Sequence, residues 1–140
     1  MKVTVDLNVI LDVVQNRVLH YTASAQVLSK IRTGKVVGVL PGHALTTLHY
    51  IIGKSSGSQK ANDTIDWLLR YFEIATADKA AFQKSRAYSW EDFEDAVVAV
   101  CAETSGSDYI VTRNATDFSK SPIKAISPNE FLEKFGEAST

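Results

Sequence analysis

The sequence is poor in cysteine, with Cys101 as the single one among 140 residues. One thiol excludes an internal disulfide and a metal cluster built from thiolates. Because Cys101 falls on the apolar face of a predicted helix, we expect a packed thiol rather than a nucleophile.

Long hydrophobic runs and a surplus of either charge are also missing. No apolar stretch is long enough to cross a membrane, and the chain opens directly on a strand pattern, so we expect neither a membrane span nor a signal peptide and take the cytoplasm as the location. The net charge of −1 predicts no general attraction to nucleic acid or membranes. An anionic substrate would have to be held by a local basic patch or by a metal ion.

The composition is that of one ordinary globular domain. Hydrophobic residues make up 45% of the chain and charged residues 22%, which suffices for a full core at this length. No internal repeat, low-complexity tract or linker interrupts the chain. We therefore predict a single domain over residues 1–136 and a frayed tail over 137–140.

Short strands rich in valine and isoleucine alternate with helices. The predicted strands are 2–6, 36–40, 72–76, 108–112 and 123–126, and the predicted helices are 9–15, 21–32, 43–53, 59–71, 79–87, 89–103 and 128–135. This alternation predicts an α/β fold, in which a parallel sheet is covered by helices on both faces in a Rossmann-like three-layer sandwich.

The predicted helix 89–103 combines an apolar face with a carboxylate. Its apolar residues recur at steps of three and four, and Ser89 together with Asp92 would cap its start. Asp95 would then lie about one and a half turns inside the helix, too far for strong stabilisation by the helix dipole. Because burying an unpaired charge is costly, Asp95 requires a cation from the protein or a bound metal ion.

Acidic and amide residues follow two of the predicted strands. Asp6 ends the first strand, and Asn114 and Asp117 follow the fourth, at the edge where open parallel sheets bind ligands. The helix with Asp95 directly precedes the fourth strand, so its beginning returns to the same edge. Singly, these acids could be a helix cap, a turn residue and an ion-pair partner.

Together, Asp6, Asp95 and Asp117 would repel one another, which raises carboxylate pKa values unless a cation holds them. Hard oxygen ligands of this kind suit Mg²⁺ or Mn²⁺. Such an ion can generate hydroxide and stabilise the charge on a phosphoryl group under attack.

Three stretches carry a resemblance to a known family: VDLNVILD at 5–12, DFEDAVVAVCAETSGSDYIVTRNATDF at 92–118 and SPNEFL at 127–132. The chain resembles the PIN domain, the small α/β nuclease domain of bacterial VapC-type toxins. The resemblance implies a metal-dependent ribonuclease, commonly dimeric, that acts on RNA as a toxin and is neutralised by an antitoxin protein.

The resemblance also assigns roles to single residues. It makes Asp6, Asp95 and Asp117 the catalytic metal ligands. Thr112 and Asn114 would line the site and orient the ligands or the attacking water.

One position departs from the family pattern, which places a glutamate in the third helix where this chain has Thr47. The loss of a carboxylate should weaken a second metal more than the first, so the protein would use one metal, recruit Asp92 or lack cleavage. Asp92 could equally be a plain helix cap. His43 or His49 could compensate, although a satisfied core or surface histidine is the more ordinary reading of each.

Other residues have two readings each. Asp12 would be an outer acid of the site or, more ordinarily, a solvated residue. Arg113 and Lys120 could contact RNA phosphates, although basic side chains are common on any surface. Trp67 and Trp90 fit helix packing better than base stacking.

The leading hypothesis is a Mg²⁺- or Mn²⁺-dependent endoribonuclease, the toxin of a toxin–antitoxin pair. The alternative is a weakened or inactive PIN-like module that binds RNA or a protein partner, with Thr47 as its motivation. A phospho-acceptor receiver domain is disfavoured because no second acid accompanies Asp6 and no lysine follows the last core strand in the expected place.

Overall fold

The computed structural model describes residues 1–136, and the tail predicted for 137–140 lies outside them. The elements are β1 (Lys2–Val5), α1 (Leu7–Val14), α2 (Tyr21–Arg32), β2 (Val37–Pro41), α3 (Gly42–Ser56), α4 (Ser58–Tyr71), β3 (Phe72–Ala75), α5 (Lys79–Ala87), α6 (Phe93–Thr104), β4 (Tyr109–Val111), a 3-10 turn (Ala115–Phe118), β5 (Ala125–Ile126) and α7 (Pro128–Phe135). The predicted α/β alternation is confirmed. Of the helices described, none has the length and apolar character that a membrane crossing requires.

The sheet has five strands in the order β3-β2-β1-β4-β5, and every neighbouring pair is parallel. The strand order reverses direction between β1 and β4, which makes the crevice at their carboxyl ends the expected ligand site. A receiver domain has the order 2-1-3-4-5 instead, so the topology rules that reading out.

Apolar side chains cover both faces of this sheet. Val3 and Val5 of β1 pack in the larger core cluster with α1, α2, α3, α4 and α7. Ile110 of β4 packs with α6 in a second cluster. Cys101 is buried in α6, and burial raises the pKa of its thiol. The predictions of a three-layer sandwich and of a packed thiol are confirmed.

Two predicted helix starts are wrong. Helix α1 begins at Leu7, two residues before its predicted start, and Asp6 caps it by accepting from the Leu7 amide. Helix α6 begins at Phe93 with Asp92 as its cap, because Ser89 has a left-handed φ of +58° that interrupts the chain direction. Asp95 is therefore in the first turn of α6, where the positive end of the helix dipole does reach it.

Asp12 on α1 is fully buried, so its expected place on a solvated face is wrong. Its Oδ2 accepts a hydrogen bond from Ser24 Oγ at 3.0 Å, and Arg113 Nε lies 3.0 Å from the same oxygen. Arg17 Nη1 is 3.6 Å from Oδ1. This buried charge joins α1, α2 and the segment after β4.

We predict that Asp12→Ala lowers the free energy of unfolding by about 3 kcal/mol, because two arginines lose their counter-charge in a partly buried place. Chemical denaturation followed by circular dichroism measures the change. Asp63→Asn on the exposed side of α4 is the control and should stay within about 0.5 kcal/mol. A loss below about 1 kcal/mol for Asp12→Ala would mean that the network contributes little.

Candidate functional site

Asp6 occupies the point where β1 ends and α1 begins. Its Oδ1 accepts from the Leu7 amide at 2.8 Å, and its Oδ2 accepts from Thr112 Oγ1 at 2.8 Å. The register that pairs Val5 with Val111 sets these two strand-end residues side by side. Asp6 thus acts as a helix cap and still faces the crevice between β1 and β4.

Thr112 and its neighbours fix the orientation of that carboxylate. Thr112 Oγ1 also accepts from the Asn114 amide at 3.1 Å, and the Asn114 carbonyl accepts from the Asp117 amide at 2.9 Å. Asn8 Nδ2 lies 3.4 Å from both Asp6 Oδ2 and Thr112 Oγ1. Asn8 was not predicted as a site residue, although its place two residues after a strand-end acid is a signal in the sequence.

The beginning of α6 brings further carboxylates to the crevice. Asp92 Oδ1 accepts from the Asp95 amide at 3.1 Å, so Asp92 is the helix cap. Burial, followed by the charges of Asp92, Asp6, Asp117 and Glu94, raises the pKa of Asp95 to about 7. The three acids predicted from sequence are therefore close enough to interact electrostatically.

Asp6 shows the same environment. Burial raises the pKa of Asp6, the bonds from Thr112 and Leu7 oppose the rise, and the charges of Glu94 and Asp92 add to it. We call the five interacting carboxylates the acidic cluster: Asp6, Asp92, Glu94, Asp95 and Asp117. Glu94 was missed from the sequence, where the run WEDFED was its only signal.

An open groove of about 870 Å³ adjoins the acidic cluster. Asp95 and Asp117 line it with Phe93, Trp90 and Lys120. Trp90 is half-buried and packs edge-on against Phe118, with ring centroids 6.1 Å apart, as expected for a packing residue. Lys120 is exposed beside the acids, where its contact with RNA phosphate stays a prediction.

Three residues of α3 were named from the sequence, and they differ in their contacts with the acidic cluster. Thr47 Oγ1 is 3.4 Å from the His43 carbonyl of its own helix. His49 is exposed, with Nε2 2.8 Å from Asn62 Oδ1 of α4. His43 Nε2, by contrast, lies 3.7 Å from Glu94 Oε2. Of the two histidines, only His43 reaches the acidic cluster.

Arg113 is drawn away from the crevice by its pairing with Asp12. Its side chain is 25% exposed, and its Nε faces the buried carboxylate. The predicted contact between Arg113 and RNA stays a prediction. Trp67 is half-buried against Tyr71, at a centroid distance of 5.0 Å, and lies on α4 as a packing residue.

The acidic cluster suits a hard divalent cation held in an open site. Within residues 1–136, no group of three His, Cys, Asp or Glu side chains is arranged to hold a metal ion as it stands. Burial and then the charges of neighbouring carboxylates raise the pKa of Asp95, and no cation among residues 1–136 is found to lower it. Mg²⁺ binds through few carboxylates and keeps several waters, which fits Asp6, Asp95 and Asp117 as an open set of oxygen donors.

We predict that Asp95→Asn stabilises the metal-free protein, and increasingly so as the pH rises from about 4 to about 7. Over this window the unfolded chain releases the Asp95 proton while the folded chain still holds it, so the native carboxylate costs stability that is fully present above pH 7. Melting temperatures in EDTA at pH 5 and pH 8 measure the effect, at about 2–4 °C for each kcal/mol.

Asp63→Asn serves as the control and should show the same difference from the wild type at both pH values. A gain in melting temperature for Asp95→Asn that does not change with pH would contradict the predicted titration.

Comparison with known proteins agrees with this fold. A sequence model of the PIN domain matches residues 2–116. Ribonuclease VapC1 of Aquifex aeolicus (strain VF5) is 27% identical over 139 residues, which are 96% of this chain and 95% of that protein.

Solved structures agree at low sequence identity. VapBC2 of Rickettsia felis bound to a promoter DNA fragment has a TM-score of 0.70 at 16% identity and covers 91% of this chain and 98% of its own. Mycobacterium tuberculosis VapC20, a toxin that cleaves the sarcin–ricin loop, has a TM-score of 0.65 at 10% identity, with coverages of 77% and 86%. These structures share the fold, and the family match covers most of the chain. The protein therefore belongs to the PIN domain family.

Proposed function

We propose that this chain is a divalent-metal-dependent endoribonuclease and the toxin of a toxin–antitoxin pair. The observation that carries the proposal is the meeting of Asp6, Asp95 and Asp117 at the strand-order reversal of a PIN domain. The names of the similar proteins, a ribonuclease and a toxin that cleaves the sarcin–ricin loop, support RNA as the substrate class. A toxin–antitoxin complex from Klebsiella pneumoniae, which is 18% identical with a TM-score of 0.69, supports an antitoxin partner.

The metal ligands in this proposal are Asp6, Asp95 and Asp117. Mg²⁺ or Mn²⁺, when bound, supplies positive charge at the scissile phosphate and acidifies water. Burial, and then the charges of neighbouring carboxylates, raise the pKa values of Asp6 and Asp95, and the positive charge of the ion would oppose both effects. The carboxylates are then ionised at neutral pH, as cation binding requires.

In this proposal, the neighbouring residues hold the metal ligands in place and contact the RNA backbone. Thr112 keeps one oxygen of Asp6 fixed through its hydroxyl, while the Leu7 amide fixes the other. The Asn114 carbonyl holds the turn that presents Asp117. Lys120 at the groove offers a charge for the phosphate backbone. Water attacks phosphorus, and the P–O bond to the leaving ribose oxygen breaks in line.

We predict that the purified protein cleaves RNA with Mn²⁺ and stops when EDTA is added. Asp95→Asn should lower kcat/KM by about 100-fold or more, since it removes a ligand from the charge that stabilises the transition state. Cleavage of fluorescently labelled RNAs measures the rates, and Asp63→Asn provides the matched control. If several RNAs stay intact and Thr47→Glu restores cleavage, the inactive binding module is the correct reading.

We predict that expression of the chain in a bacterial host arrests growth, and that Asp95→Asn at equal protein levels does not. The reason is that loss of a metal ligand removes cleavage while leaving the fold and the surface in place. Optical density after induction and an immunoblot for protein level measure the outcome. Equal arrest by both forms would point to toxicity without cleavage.

The second partner implied by the family resemblance is another copy of the chain. The homodimer stays a prediction, and light scattering of the purified protein tests it. A mass near 15.4 kDa would indicate a monomer.

A further inference from the structure

His43 stands out because the fold gives its imidazole no hydrogen bond. Both ring nitrogens are buried and lack a hydrogen-bond partner. Among residues 1–136, the other buried side-chain atoms in this condition are Asp12 Oδ1 and Arg113 Nε, and both of those residues belong to the ion-pair network around Asp12. Buried polar groups are nearly always satisfied, so an exception calls for an explanation.

The charged group near His43 is Glu94 of α6. Nε2 and Oε2 are 3.7 Å apart, which is an electrostatic approach and longer than a hydrogen bond. The Glu94 side chain is 49% exposed, so a partner is needed to hold it in one orientation. A shift of less than 1 Å would turn this approach into a hydrogen bond.

Glu94 interacts with other carboxylates of the acidic cluster as well as with His43. The charge of Glu94 contributes to the raised pKa values of Asp6, at the end of β1, and of Asp95, in α6. It also lines the groove together with Asp95 and Asp117. One carboxylate therefore reaches both the imidazole on α3 and the predicted metal ligands.

Thr47 and His49, the other α3 residues named from the sequence, do not contact Glu94. The Thr47 hydroxyl is directed to the His43 carbonyl, and His49 is bonded to Asn62 on the opposite, exposed side. The position where the family pattern has a glutamate thus presents no charge to the cluster. His43, one turn earlier, is the α3 residue that contacts it.

We propose that His43 and Glu94 form a positioning pair of the nuclease site. Glu94 supplies a fourth carboxylate to the surroundings of the divalent cation, and His43 holds that carboxylate towards Asp6 and Asp95. The proposal rests on the proposed function and deepens it, because the α3 contribution to the site comes through His43 and not through Thr47.

Four variants of the full-length chain test the pair: Glu94→Gln, His43→Ala, His43→Gln and the double variant Glu94→Gln/His43→Ala. Calorimetry with Mn²⁺ alone gives the affinity for the ion, and cleavage of labelled RNA gives kcat and KM. Each of Glu94→Gln and His43→Ala should weaken Mn²⁺ binding about tenfold, as losses of residues that orient metal ligands do. Both should lower kcat with little change in KM for RNA.

The double variant should bind Mn²⁺ no more weakly than Glu94→Gln alone, because His43 acts through Glu94. His43→Gln keeps an N–H donor that can reach the carboxylate and should recover part of the loss. The controls are His49→Ala on the same helix and Glu73→Gln, an exposed acid 60% accessible on β3. Melting temperatures show whether each variant is folded.

The pair would be overturned if both single variants bound Mn²⁺ as tightly as the wild type, or if their losses were fully additive in the double variant. RNA cleavage by the wild type would still support the nuclease in that case. Absence of Mn²⁺ binding by the wild-type chain would overturn both proposals. If His43→Ala does not fold, Glu94→Gln and His43→Gln decide the question, since the pair requires a loss in the first and less of a loss in the second.

Discussion

The parallel pairing of β1 with β4 is the constraint on which the site depends. It places Asp6 beside Thr112 at the point where the strand order reverses. Helix α1 begins directly after Asp6, which caps it, and the 3-10 turn that carries Asp117 begins shortly after Thr112. Residues far apart in the chain meet because two short buried strands fix their register, and a slip by one residue would reverse the side chains of the strand.

Much of this arrangement could be predicted from the sequence because it follows local rules. Helices α2 and α5 have their predicted bounds, 21–32 and 79–87. The alternation of strands and helices gives the parallel sheet, and strand-end acids then fall at one edge. The start of α6 was wrong because the left-handed φ at Ser89 and the exposure of Phe93 depend on tertiary packing.

Buried charge was harder to foresee. Asp12 shares its sequence pattern with an ordinary solvated acid, and its burial depends on Arg113, a hundred residues away in the chain. Glu94 and His43 lie on two helices, α6 and α3, whose relative position is set by the whole sheet. No local sequence pattern predicts that these two side chains approach each other. Local rules place an acid on a helix, while its partners are determined by the fold.

The buried carboxylate of Asp12 and the carboxylates of the acidic cluster lie in different electrostatic environments. Arg17 and Arg113 are both committed to the single buried carboxylate of Asp12. Among the described residues, the acidic cluster shows no such compensation at Asp95, where burial and the neighbouring carboxylates raise the pKa. Two arginines thus neutralise the buried carboxylate of Asp12, whereas burial and neighbouring like charges raise the pKa of Asp95 to about 7. A bound divalent cation would supply the opposite charge at Asp95, which is the role that the proposed function gives it.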